Sequence, residues 1–220
     1  MNEGVWMRPL SQSSSADWVA ASMDHWNLTI EGFVPAEYDA YARVLHEIEQ
    51  GDEPATWASV AAANGHRFDP LAQWTRITVG PDGEEWRGRP RVGTLTPSVA
   101  QSLSEALASF TTTPTTCFFG LWEGFGASEL PPSVQLFESN RRVMGLFEGP
   151  IQDATHSFSS RPWSQLANLW WPADRAWFVV SEIDYDSTIV AGRRECIDAL
   201  LRTPAIEAIE VSPGDTLAIS

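Results

Sequence analysis

The chain has 220 residues, 43% of them hydrophobic, which is ample for a sizeable buried core, and 29 acidic residues face 14 basic ones for a net charge of -15. A field of that sign repels phosphate backbones and anionic bilayers, so neither nucleic acid nor a membrane surface is an expected partner. Every basic residue is Arg and none is Lys, which excludes Schiff-base chemistry and a phosphate-loop lysine.

Taken in order, the Ser-rich stretch from Ser11 to Ser15 has little to bury, so residues 1–27 read as a partly flexible lead. That lead has no apolar signal-peptide core and no later segment approaches membrane-spanning length, so the expected location is the cytoplasm. Residues 28–220 carry no linker and read as one domain. Pro35 to Glu49 is predicted as the first helix, with Tyr38, Tyr41, Ala42, Leu45 and Ile48 at helical spacing. After the turn at Gly51–Pro54, a short helix over residues 56–63 stops at Asn64-Gly65. Residues 71–79 read as a strand, followed by the turn Pro81-Asp82-Gly83. A second long helix begins at Thr96-Pro97, carries Val99, Leu103, Leu107 and Phe110 on one stripe, and is stopped by the Thr/Pro run 111–116. Cys117–Phe125 reads as a buried strand. Two strands flanking Asn140-Arg141 form a hairpin, and Trp177–Ile183 reads as a central strand. A last helix spans about Arg193–Arg202. The expected fold is α+β: a mainly antiparallel sheet with three or four helices packed against it.

Signatures of nucleophilic, zinc and nucleotide chemistry are missing: no GxSxG, HExxH, CxxC or Walker sequence occurs. No cofactor and no metal site is expected. Cys117 and Cys196 stand far apart among apolar neighbours and read as inert buried thiols. His25, His46, His66 and His156 share no ligand spacing.

Three groupings could carry function. In the first, Trp171, Asp174 and Arg175 lead into Glu182, Asp184 and Asp186. If the strand persisted, these three acids would project from one face, where they could bind a cation, serve as an acid, or simply pair with an Arg. In the second, Trp122 and Glu123 are followed by glycines that let backbone approach closely, as a small-molecule pocket would need. The third is Arg87, Arg89 and Arg91, whose spacing of two would set three guanidiniums on one side as an anion site requires. For the first grouping, a hollow shared by the tryptophan-rich stretch near Trp171 and the acid triplet is the expectation. The eleven Trp would furnish its walls or, more simply, fill the core.

Several segments, FVPAEYDAYARVLH (33–46), LWEGFG (121–126), LFEGP (146–150) and above all WWPADRAW with EIDYDST (170–188), resemble an uncharacterised family of actinobacterial cytoplasmic proteins that has no assigned activity. The resemblance supplies no catalytic residue. The VPAEYDAYARVL segment is also similar to a helix of SUKH-type immunity and binding proteins. These readings lead to an acidic, non-catalytic binding protein, immunity-like in kind, with a protein or small molecule as partner. The alternative is a hydrolase or other small-molecule-binding enzyme working through carboxylates, with Glu182, Asp184 and Asp174 near Trp171 and Trp122.

Overall fold

The computed structural model describes residues 7–23, 28–35, 37–49, 55–125, 130–159 and 164–217. In chain order these form β1 (Arg8–Pro9), α1 (Asp17–Ser22), α2 (Ile30–Phe33), β2 (Ala40–Leu45), β3 (Ile48–Glu49), α3 (Trp57–Ala63), α4 (Trp74–Ile77) and β4 (Arg89–Pro90). There follow α5 (Pro97–Ala108), β5 (Cys117–Trp122), β6 (Leu136–Ser139), β7 (Arg142–Gly149), a 3-10 turn at Ile151–Thr155, β8 (Leu169–Pro172), β9 (Trp177–Val180), β10 (Ser187–Gly192), α6 (Arg194–Leu201) and β11 (Ala208–Val211). Nine strands make one sheet in the order β1-β7-β5-β8-β9-β10-β2-β11, with β6 also paired to β7, while β3 and β4 form a small separate ribbon. Every pairing is antiparallel. The expected α+β class therefore holds, with six helices among the described residues rather than three or four.

The sheet is covered on both faces, which explains why its central strands read as unbroken apolar runs. Alternation sends Phe119, Trp170 and Val179 to one side, where Leu103 and Leu107 of α5 and Ile197 and Leu200 of α6 close the core. Phe118, Trp171 and Phe178 go to the other side, beneath Val19 of α1 and Ile30 and Phe33 of α2. A third cluster joins Trp57 of α3 to Trp74 and Ile77 of α4. The helix stop at Asn64-Gly65, the helix start at Thr96-Pro97 and the turn at Asn140-Arg141 act as expected. Thr56 forms a reciprocal capping box with Ser59, and Gly65 adopts φ +74° just beyond α3. Thr96 caps α5 with Pro97 in its first turn. Asn140 and Arg141 both take positive φ, 49° and 60°, as a two-residue hairpin between β6 and β7 demands.

Three expectations are corrected. The predicted helix from Pro35 to Glu49 is instead strand β2 followed by β3: all six residues of AYARVL are buried between β10 and β11. A strand with both faces covered loses its alternation, so apolar residues fall by accident at helical spacing. Residues 71–79 hold the short helix α4 rather than a strand, because Trp74 and Ile77, three apart, both turn into the cluster around Trp57. The central strand ends at Val180, not Ile183. In the N-terminal stretch, Leu10, Ala16, Val19 and Met23 pack beneath the sheet, and Ser13 exchanges hydrogen bonds with Gln135. The turn at Gly51–Pro54 lies outside the described residues.

Candidate functional site

Strand β9 runs through the centre of the sheet, and the named acids gather in the turns at its two ends. The β8–β9 turn carries Asp174 and Arg175. The Asp174 carboxylate accepts hydrogen bonds from Thr111 Oγ1 (2.8 Å), Thr112 N (2.7 Å), Thr112 Oγ1 (2.7 Å) and Ala176 N (3.2 Å). Partial burial alone would raise its pKa, but these donors outweigh that and hold it below the usual carboxylate range. Arg175, at φ 55°, lays its guanidinium 4.7 Å from the Trp18 ring centroid.

Asp174 and Arg175 line an open hollow of about 740 Å³ together with Glu37, Tyr38, Asp39, Arg193 and Glu195. Tyr38 donates its hydroxyl to Arg175 O (3.2 Å), and burial, reinforced by Glu37, pushes its pKa well above the usual phenol value. Glu37, Asp39 and Glu195 are exposed and form no ion pair among the described residues. The lining thus sets four carboxylates against two guanidiniums.

The β9–β10 turn carries Glu182, Asp184, Tyr185 and Asp186. With the strand ended, these acids do not share a face. Glu182 and Asp184 both grip Arg142, at 3.0 and 2.7 Å. Asp186 pairs instead with Arg43 at 3.3 Å. Trp122, half-buried at the end of β5, lies under the same Arg142 guanidinium at 5.4 Å. Glu123 is exposed in the turn beyond it. Close approach by glycine is real at Gly124, where a Cβ would fall 2.1 Å from the Trp122 ring, but the space is filled by that ring. Gly126 lies outside the described residues.

The expected shared hollow is therefore not formed. Trp171 is 1% exposed and packed among Phe178, Phe118, Phe137 and Trp18, so it lines no cavity. Trp122, Glu182 and Asp184 do come together, on Arg142, while Asp174 and Arg175 stand at the opposite end of β9.

Beside the Arg43–Asp186 pair lies a smaller cleft of about 210 Å³, lined by Arg43, Arg89, Asp184, Tyr185 and Asp186, by the polar Gln73 and Thr75, and by Leu71, Trp74, Pro90, Val92 and Leu217. Burial lowers the pKa of Arg43, with Asp186 opposing the shift, and burial raises that of Asp186, with Arg43 opposing. The Arg43 guanidinium also donates to Ser187 Oγ (3.0 Å), Pro70 O (3.2 Å) and Ala72 O (2.7 Å). Tyr185 has a buried hydroxyl with no hydrogen-bond partner. Of the three arginines spaced by two, Arg89 lines this cleft, Arg91 is bound to Glu49 and Ser164, and Arg87 is exposed away from the lining.

Among the described residues the histidines and cysteines are buried, partly buried or hydrogen-bonded within the fold. His46 lies 2.7 Å from Arg91 O through Nδ1 and 2.8 Å from Thr188 Oγ1 through Nε2. A ring nitrogen facing a carbonyl must carry the proton, so Nε2 is the acceptor. Burial, with the charges of Arg43 and Arg91, lowers the His46 pKa to about 4. Burial likewise pushes Cys117 and Cys196 up to about 12. His66 is exposed and bonds Val79 O, His156 is lowered by burial, and His25 lies outside the described residues. Among the described residues no cluster of His, Cys, Asp or Glu could hold a metal ion, and no helix is long and apolar enough to cross a membrane.

Sequence reasoning missed Arg142, Arg43 and Tyr185. A signal existed for Arg43: an arginine inside the apolar run AYARVL must find partners for its donors once buried. None existed for Arg142, whose two partners are about forty residues away. No family model, no curated protein and no solved structure matches the chain.

Proposed function

We propose that this protein is a non-catalytic acidic binding protein whose partner presents positive charge to the hollow at the β8–β9 end. The observation that carries this reading is the division of its acids. Asp174, Glu182, Asp184 and Asp186 are consumed by internal donors, whereas Glu37, Asp39 and Glu195 stand exposed and without ion-pair partners around one concavity. Uncommitted carboxylates in a concave, negatively charged surface attract and orient a cation, raising encounter rates as well as affinity. The raised thiols and the sealed His46 support binding rather than turnover, because a nucleophile needs its ionised form and a base needs access. An immunity-like role fits this chemistry, with the acidic face covering the basic surface of a partner.

A defined probe tests the reading. An arginine-rich peptide titrated by calorimetry should bind the wild type, weaken as salt rises, and lose at least about tenfold in affinity to the E37Q/D39N/E195Q variant. The E84Q/E85Q/E138Q variant removes equal charge from exposed positions elsewhere and should bind as the wild type does. Equal losses in both variants would reduce the effect to diffuse charge, and either that result or no binding at all would overturn the reading.

A further inference from the structure

The cleft beside Arg43 has the opposite preference from the surface around it. We propose that it is a binding site for a small monocarboxylate with an aromatic or branched apolar body. Arg43, Tyr185 and Arg89 all belong to its lining, and each keeps a donor that no described acid takes up in full. Arg43 has five N–H donors, of which one goes to Ser187, two go to the carbonyls of Pro70 and Ala72, and one reaches Asp186. That last contact is 3.3 Å, longer than the roughly 2.8 Å of a good charge-assisted bond, and the fifth donor is left over. Tyr185 supplies a hydroxyl that is buried without a partner, on a residue only 7% exposed. A ligand oxygen within its reach would relieve an unfavourable state.

Arg89 supplies the third. It sits directly across the β3–β4 ribbon from Glu49, the acid that would ordinarily neutralise it. Glu49 is instead taken by Arg91, at 2.8 Å through Nε, and Arg89 forms no ion pair among the described residues. Of the lining acids, Asp186 is answered by Arg43 and Asp184 by Arg142. Arg89 is thus the lining guanidinium without an ion-pair partner among the described residues, and an anion is the species its donors would take up. The rest of the lining is mainly apolar, with Gln73 and Thr75 as its polar members, and Leu71 and Val92 stand exposed. About 210 Å³ exceeds the ~150 Å³ that admits benzene, so a ring bearing a carboxylate fits the space.

The cleft lies at the other end of β9 from the acidic hollow, so this proposal stands or falls independently of the cationic partner. The probes are benzoate, benzylamine and benzyl alcohol, titrated into the full chain and read by calorimetry and by tryptophan fluorescence, since Trp74 walls the cleft. Benzoate should bind with a dissociation constant of about 1 mM or lower, and at least about fivefold more tightly than either of the others. The exposed Arg89 can be removed without disturbing the core, so R89A should fold and lose at least about fivefold in benzoate affinity. Y185F keeps the ring and should weaken benzoate while leaving benzyl alcohol unchanged. Absence of benzoate binding, unchanged affinity in R89A, or a preference for benzylamine would each overturn the assignment.

Discussion

The two ends of β9 solve the same problem differently. At the β8–β9 end Asp174 stays at the surface and is stabilised by neutral donors, two threonine hydroxyls and two backbone amides, which leave its charge intact. At the β9–β10 end Asp186 and Glu182 are drawn inward and each meets a guanidinium, which cancels charge. Neutral donors suffice where water still helps solvate the carboxylate; deeper in, only an opposite charge offsets the lost hydration. The end that keeps its negative charge opens on the acidic hollow, and the end that cancels it opens on the cleft, where Arg89 has no ion-pair partner among the described residues.

The sharpest way to break the buried end is to remove Arg43. R43M keeps the apolar stem but abandons Asp186, Ser187 and the carbonyls of Pro70 and Ala72. Leaving a buried charge without its partner costs about 3–5 kcal/mol, so denaturant unfolding should show a loss of that size. A loss below about 1 kcal/mol would mean that the pair is hydrated and that the contrast between the two ends is wrong.

Acid should separate the ends by pH window. The folded pKa of His46, about 4, lies below the ordinary imidazole value of 6.5, so folding favours the neutral ring. Its stabilisation is complete above pH 6.5 and is lost as pH falls from there toward 4, by about 3 kcal/mol. Glu207 and Asp186, both raised by burial, act in the opposite sense at lower pH and blunt the fall. Asp174, held below the usual carboxylate value of 3.8, contributes stability that is present above that value and disappears below it. Unfolding free energy measured from pH 7 to 3 should therefore begin to drop near 6.5, and H46Q should flatten that first segment. A profile flat down to pH 4 in the wild type would show that His46 does not govern acid stability.

D174A tests the shallow end. It strips the acceptor from the Thr112 amide and from two hydroxyls, all of which water can reach, so a cost of about 1–2 kcal/mol is expected in thermal or denaturant unfolding. A cost as large as that of R43M would erase the distinction between the ends.

How much of this was legible in the sequence follows from which interactions are local. Caps and tight turns are written within four residues, so the stop at Asn64-Gly65, the start at Thr96 and the Asn140-Arg141 hairpin could be read directly. The paired roles of Trp170 and Trp171, one on each side of the sheet, could not, because a strand covered on both faces shows no alternation. The same cause turned AYARVL into a false helix. At the site, the acids after Val180 were visible as a cluster, but their direction depended on where the strand stopped and on Arg43 and Arg142, each more than thirty-five residues distant. Arg89 could be seen as an anion-seeking residue. That Glu49 would choose Arg91 over it could not.

The finest comparison lies within the β9–β10 end itself, where one guanidinium serves two carboxylates. Arg142 holds Glu182, whose side chain is 7% exposed, and Asp184, whose side chain is 56% exposed. If contact with arginine set the energy, the shorter bond to Asp184 would be the more important. If burial sets it, Glu182 dominates, because it also accepts the Asp184 amide at 2.7 Å and has little access to water. The second alternative predicts that E182Q costs about 1–2 kcal/mol in denaturant unfolding and D184N less than about 0.5 kcal/mol, with only the smaller effect screened by salt. The reverse order would show that exposed pairing, not desolvation, governs this turn.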